Sequence, residues 1–254
     1  MRTQKTTPGD RYVQSLARGL AAICSFGTDT PQQTLTQVAE KTGLDRAGAR
    51  RILLTLESLG YLRRNGRYFS PTPKILDLGY SYLATIPWWS LAERRMIDLA
   101  SGINESVTLG VLSGPQIVLV SCVHAQNVLT VNLNVGRRSP AYCTSIGRIL
   151  LGELTEEHLT RTLGEMNLVK HTKNTITSAS ELRKIIERDR QQGWSVVDQE
   201  YEPSVCSISV PVRNRAGQLI AAMCVVGTPL RTTAKQMIQN ILPLLQDAAG
   251  NIWN

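Results

Sequence analysis

Aromatic side chains are scarce in this sequence: they make up 5% of residues, and only two are phenylalanine. A hydrophobic core must therefore be built mainly from aliphatic side chains. There are three histidines, and the five cysteines (Cys24, Cys122, Cys143, Cys206 and Cys224) stand far apart with no CxxC pair. An odd, scattered set argues against a disulfide scaffold and against a zinc site, and fits a reducing compartment. No run of about 18 apolar residues is present, which excludes a membrane-spanning helix. Residues 1–10 are polar and lack the apolar stretch of a secretory signal, so a flexible tail and a cytoplasmic location are expected. HExxH, GxSxG, Walker and GxGxxG patterns are all missing, and neither a cofactor nor a metal is expected.

What the chain does have is basic charge, unevenly spread. It has 254 residues, 42% of them hydrophobic and 19% charged, with a net charge of +8. The length suits one or two domains, and the charge suits a polyanionic partner. Residues 1–85 hold 12 Lys/Arg against 6 Asp/Glu, whereas residues 86–254 hold 16 against 14. Most of the excess thus lies in the first third, and the proline at 87 follows a helix-like run. The expected organisation is a small basic domain over residues 11–73, a connecting helix and junction over 74–90, and a nearly neutral domain over 91–254.

In the basic third, Val13, Leu16, Leu20 and Ile23 have helical spacing, predicting a helix that ends near Gly27. Thr34 can cap a second helix carrying Leu35, Val38 and Ala39 inward. Gly43 breaks the chain, and Asp45 can cap a third helix. This is the outline of a helix-turn-helix. On the third helix Ala49, Ile52, Leu53, Leu56 and Leu59 share one sector. Arg50 and Arg51 lie opposite, with Ala47 and Leu54 between the two groups and Arg46 in the first turn. An arginine at a helix N-terminus opposes the helix dipole, a cost that makes sense if that turn faces phosphate and base edges. A hairpin is predicted next, with strands at Tyr61-Leu62 and Tyr68-Phe69 and Asn65-Gly66 at its tip. Its arginines, Arg63, Arg64 and Arg67, suit a wing resting on phosphate. Residues 74–84 predict a helix that can carry a dimer contact, and Trp88 and Trp89 predict a packed domain junction.

Beyond residue 90, strands are predicted over 106–111, 116–123, 129–135, 194–198, 206–212 and 218–226. Helices are predicted over 145–151, 156–163, 178–192 and 232–249, the third opened by a capping box at Ser178 and Glu181. Paired strands with helices between them predict an α+β domain with a mostly antiparallel sheet. The segment from Pro140 to Arg148 is a loop of small polar residues running into a helix, whose first N–H groups near Ser145 and Ile146 can hold an anion. Ser207, Ser209 and Cys224 are small polar groups in apolar strands, and with that loop they predict a pocket for a small carboxylate. His124, at a strand end, is a weaker candidate to line a cavity. Asp198, Glu200 and Glu202 read as a solvated acidic strand end. Cys143, near a helix start, leaves a thiol enzyme with a DNA-binding head open as a reading. A ligand-independent DNA binder is another.

Residues 15–20 (Ser-Leu-Ala-Arg-Gly-Leu), the helix from Arg46 to Leu59 followed by Gly60-Tyr61-Leu62, and the segment Gly136-Arg137-Arg138-Ser139-Pro140-Ala141-Tyr142-Cys143-Thr144-Ser145-Ile146-Gly147-Arg148 resemble the IclR family of bacterial transcription regulators. The segment 140–145 is similar to the branch controlling aromatic-acid catabolism. The resemblance implies a winged helix-turn-helix, a linker helix and a GAF-like effector domain. It also implies that a homodimer or dimer of dimers binds a roughly palindromic operator in double-stranded DNA, controlled by a small aromatic acid. The family's DNA-contacting positions match Arg18, Arg46, Ala47, Gly48 and Arg51, to which the charge pattern adds Arg50, Arg63, Arg64 and Arg67. Its effector positions match Ser145, Ile146, Asp198, Ser207, Cys224 and Val226, and the neighbouring loop adds Tyr142, Cys143 and Thr144. Ala47 and Gly48 stand where polar residues are common in the family, which puts more of the base readout on the arginines, and in the second domain Ser139 stands in place of Leu, Cys206 in place of Arg and Val226 in place of Ser. If the missing Arg holds an acidic effector in relatives, a different or less charged ligand is implied.

Overall fold

The computed structural model describes residues 12–85, 88–125 and 133–253. The chain divides into two compact units, residues 1–86 and 87–254.

The first unit holds helices α1 (Gln14–Cys24), α2 (Leu35–Thr42) and α3 (Arg46–Ser58), strands β1 (Gln33–Thr34), β2 (Leu62–Asn65) and β3 (Tyr68–Pro71), and helix α4 (Leu76–Leu83). Thr34 caps α2 through a reciprocal capping box with Gln37, and Gly43 ends that helix at φ +66°. The Asp45 side chain accepts the Gly48 N–H at 2.7 Å and opens α3. Ala22, Val38, Leu53, Leu56, Leu62 and Phe69 form the core. Leu59, expected inside, lies exposed just past the end of α3, and Val13 at the start of α1 and Leu16 and Leu20 on it are exposed too. Small Ala22 takes the buried position on α1 instead. Strand β1 was not expected; it joins the hairpin in the order β1-β3-β2. The hairpin tip lies one residue further along than predicted. Asn65 pairs with Tyr68, leaving Gly66 and Arg67 to turn, and only Gly66 takes a positive φ.

The second unit is built on a six-stranded antiparallel sheet. Its strands are β4 (Ser106–Ser113), β5 (Gln116–Val123), β6 (Arg138–Pro140), β7 (Ser195–Asp198), β8 (Cys206–Arg213) and β9 (Leu219–Gly227), in the order β6-β5-β4-β9-β8-β7. The strand expected over 129–135 falls largely on residues outside those described. Helix α5 (Trp89–Ile103), which the sequence reading did not anticipate, packs on β4 and β5 and buries Ala92, Met96 and Leu99. Its start takes in both tryptophans: Trp88 is buried, and the Trp89 indole donates to the Val120 carbonyl. Helices α6 (Ser145–Gly152), α7 (Glu156–Glu165) and α8 (Ala179–Gln192) follow. The last helical run enters at α9 (Ala234–Gln236), passes through a π-helical turn (Met237–Ile241) and continues as α10 (Leu242–Gly250). At α8 only half of the expected capping box forms, with Ser178 accepting the Glu181 N–H.

Both faces of the sheet are covered. Along β9, Ala222, Cys224 and Val226 pack towards Ile146, Ile149 and Leu150 of α6, while Met223 and Val225 between them are buried as well. This accounts for the nearly continuous apolar run of that strand. Helix α6 is buried along its whole length. It seats that closely because two positions lack a side chain. A Cβ on Gly147 would lie 2.1 Å from the Ala141 carbonyl oxygen, and one on Gly110 would lie 2.9 Å from Ile146.

Gly147→Ala therefore forces backbone apart, and its expected cost is about 2 kcal/mol or more. Gly164→Ala, on α7 with nothing within 4 Å of the added methyl, is expected to stabilise by about 0.5–1 kcal/mol through helix propensity. Urea unfolding of the two variants checks this; equal midpoints would contradict the packing.

Candidate functional site

Two regions gather chemistry, one in each unit. In the first, Arg46, Ala47, Arg50 and Arg51 of α3 are exposed. Among the described residues, no acid forms an ion pair with Arg46, Arg50 or Arg51. Gly48 differs from its neighbours in being buried beside Asp45, where it offers its N–H to the cap and not to an outside partner. The Asp45 carboxyl is held below the usual range, first by the Gly48 N–H and further by the Ala47 N–H and the Arg51 and Arg18 charges. Arg18 and Arg51 line one groove between α1 and α3. On the wing all three arginines are exposed, but they are not equivalent. Arg63 donates to Ser70 at 3.1 Å, and Arg67 donates to the Tyr68 hydroxyl while lying over its ring. Arg64 pairs with Glu57 at 3.5 Å. That contact is solvent-exposed, so it holds Arg64 only weakly against a competing phosphate.

In the second unit a cavity with about 570 Å³ of unfilled space, counted out to its mouth, opens between α6 and the sheet. Its apolar wall includes Ile117, Leu119, Leu133, Val197, Val205 and Val226, and Thr108, Cys143, Thr144, Ser145, Ile146, Ser207 and Cys224 also line it. Thr144 caps α6 by accepting the Gly147 N–H. Ser145, the first helical residue, places its hydroxyl 2.9 Å from Ser207 Oγ, 2.7 Å from Ser209 Oγ and 3.6 Å from Cys224 Sγ. These groups meet because β8 and β9 pair Ser209 with Cys224 and Ser207 with Val226. On the neighbouring strand Thr108 Oγ1 is buried without a hydrogen-bond partner.

Several expectations need correction. Tyr142 does not line the cavity; its ring is buried behind it, and its hydroxyl donates to the Val169 carbonyl at 2.6 Å. Asp198, at the end of β7, is exposed and outside the lining, because strand alternation turns it away from Val197. Cys206 is buried but also outside the lining, next along β8 to Ser207, which does line the cavity. His124 is exposed and does not line the cavity. The Cys143 thiol lines it but is no nucleophile: burial and then the Glu200 charge push it up to about 12, leaving it protonated at neutral pH.

The sequence reading missed the ionic frame. Glu200, expected in solvent, is buried and pairs at 2.6 Å with Arg148, which is itself buried on α6 and also donates to the Tyr142 carbonyl. Glu202 pairs with Arg137 at a more exposed position. Glu200, Tyr201, Glu202 and Val205 all line the cavity from the one loop that joins β7 to β8. Gln199 and Ser204, near the two ends of that loop, both take left-handed φ, at +56° and +64°. Two carboxylates flanking an aromatic residue were visible in the sequence, but their arginine partners lie 52 and 65 residues away.

Residues 80–254 match the family pattern described as the bacterial transcriptional regulator IclR C-terminal domain, and residues 15–66 match the IclR helix-turn-helix domain. A Pca regulon regulatory protein of Pseudomonas putida is 36% identical over 99% of this chain and 87% of its own length. A crystal structure of a transcriptional regulator from Rhodococcus sp. RHA1 is 38% identical, with a TM-score of 0.85, covering 95% of this chain and 97% of that one. The inducer-binding domain of a PobR double mutant from Acinetobacter, solved with 3-hydroxybenzoic acid, is 27% identical. Its TM-score is 0.61, and the match covers 66% of this chain and 98% of that domain. The chain belongs to the IclR family of bacterial transcriptional regulators. It is thus a DNA-binding regulator and not an enzyme. No described helix is long and apolar enough to cross a membrane.

Burial raises the Glu200 carboxyl above its usual range, and the Arg148 charge opposes that shift. Arg148→Met leaves the carboxylate buried without its counter-charge, at an expected cost of about 3–5 kcal/mol at pH 7.5. With its partner gone, Glu200 has a folded-state pKa raised further above the unfolded value. Stability is then lost as pH rises through that folded pKa and regained below it. Denaturant unfolding at pH 7.5 and pH 5 should show the deficit shrinking in acid; a deficit independent of pH would contradict the assignment.

Proposed function

We propose that this protein is a cytoplasmic regulator of aromatic-compound catabolism genes, whose DNA binding or activation is controlled by a small aromatic acid. Residues 11–73 bind DNA, residues 74–90 link the two parts, and residues 91–254 bind the effector. The observation that carries the reading is the cavity's combination of an apolar wall with donors at the start of α6. Ile117, Leu119, Leu133, Val197, Val205 and Val226 can enclose a ring. The backbone N–H groups of Ser145 and Ile146 and the hydroxyls of Ser145, Ser207 and Thr108 receive its carboxylate, with Cys143, Thr144 and Cys224 completing the wall. The ligand of the Acinetobacter domain, 3-hydroxybenzoic acid, is of this class.

On DNA, α3 enters the major groove. Arg46 and Arg51 are assigned to base edges, with Ala47 allowing close approach. Arg18, Arg50, Arg63, Arg64 and Arg67 are assigned to phosphate. The protein acts as a homodimer or a dimer of dimers, so its operator is roughly palindromic. Leu16 and Leu20 of α1 and Leu76, Tyr80 and Tyr82 of α4 are exposed and suit contact with a second copy. The effector regulates by binding more tightly to one arrangement of the DNA-binding heads than to another.

Two measurements test this reading. In a gel-shift series, Arg51→Ala should cost about 1–3 kcal/mol on operator DNA and relax specificity at one base pair. Arg67→Ala should weaken operator and random DNA alike and lower the salt slope by about one. Equal losses on both DNAs for both variants would defeat the base-contact assignment. In thermal unfolding, a hydroxylated benzoate at a hundredfold excess over its Kd should add about 2.7 kcal/mol of stability. A panel of such acids that leaves the melting temperature unmoved would remove the effector reading.

A further inference from the structure

The cavity differs in character between its floor and its mouth. The floor is made of donors and neutral groups on the central strands and the start of α6. Ser145 lies within 2.9 Å of Ser207 Oγ, and Thr108, only 1% exposed, holds an unpartnered hydroxyl there. On its more solvent-exposed side the lining carries an ion pair. Arg137 and Glu202 are joined, and their side chains are 21% and 32% exposed, against 2% and 9% for Arg148 and Glu200. A ligand that places its carboxylate on the floor presents the far side of its ring to that pair.

An ion pair has particular tastes in what it accepts beside it. A hydroxyl is both donor and acceptor, and it fits between a guanidinium that donates and a carboxylate that accepts. A second carboxylate meets like charge from Glu202. An unsubstituted ring edge partly dehydrates both charges and returns no hydrogen bond.

Building on the aromatic-acid reading above, we infer that the Arg137–Glu202 pair is the specificity element of the cavity, selecting a ring that carries a distal hydroxyl and rejecting one that carries a distal carboxylate. Arg137 donates to the hydroxyl oxygen, and Glu202 accepts its proton in a hydrogen bond. Glu200 does not take this part, because its pair with Arg148 is buried and that guanidinium also donates to the Tyr142 carbonyl. The pair positions and discriminates; the floor supplies the affinity common to all the acids.

The test is calorimetric titration of the full-length protein with three probes: benzoate, 4-hydroxybenzoate and benzene-1,4-dicarboxylate. The wild type is expected to bind 4-hydroxybenzoate about tenfold or more tightly than benzoate, with the dicarboxylate weakest. Glu202→Gln removes the repelling charge and leaves Arg137 to receive a carboxylate. It should bring the dicarboxylate up by about tenfold or more while lowering the preference for 4-hydroxybenzoate. Arg137→Met should lose the hydroxyl preference yet keep rejecting the dicarboxylate, and this comparison stands even if the Glu202 variant melts early. A purely structural role for the pair would weaken all three acids by the same factor, which would overturn the inference and leave the effector reading intact. Equal wild-type affinity for benzoate and 4-hydroxybenzoate would do the same. Binding of none of the three by folded wild-type protein would reject the effector reading itself, and the inference with it.

Discussion

The seating of α6 on the sheet is the constraint from which the rest of the second unit follows. A helix buried on every side cannot carry a charge inward unless that charge is matched, and Arg148 sits in the middle of α6. Its guanidinium is met by Glu200, so the loop between β7 and β8 is pinned over the helix. The absence of a side chain at Gly147 lets the Ala141 backbone lie against the helix. With these contacts made, Ser145 must stand over Ser207 and Ser209, and the loop's remaining side chains must close the cavity. The buried ion pair thus does more for placement than for stability, since hydrophobic residues of similar size can replace such pairs with little loss.

The two units divide the chemistry by charge. The first has a small, mostly aliphatic core and keeps its helix-turn-helix and wing arginines at the surface. Its exposed α1 and α4 side chains are more apolar than a solitary small domain has reason to keep. The second unit is nearly neutral, and among its described residues six arginines pair with carboxylates, of which only the Arg148–Glu200 pair is buried on both sides. Cationic surface and charge-balanced interior are different uses of the same residue type.

Local features are legible in the sequence itself. Thr34 and Asp45 as caps, Gly43 as a stop and the basic face of α3 follow from spacing and side-chain chemistry within a few residues. The start of α6 and the small polar groups of β8 and β9 were legible for the same reason. What escaped depends on distance along the chain. Helix α5 was overlooked although its apolar positions recur at helical spacing. Strand β1 is two residues long and exists only because β3 lies beside it. Glu200 looked like a solvated acid because nothing within fifty residues announces Arg148. Tyr142 and Asp198 sat in promising stretches, but the direction in which a side chain points is set by the sheet register.

By itself, then, the sequence determined the kind of protein this is: an α+β chain with a basic helix-turn-helix and wing ahead of a neutral domain, in the IclR family. These properties depend on composition, on short-range capping and on motifs that are contiguous in the chain. Only the tertiary structure decided which polar groups share a cavity, which acids are buried, and that residue 206 stays outside the cavity's lining. Those outcomes are set by strand pairing and helix packing between segments tens of residues apart, where the energy of one contact depends on all the others being in place.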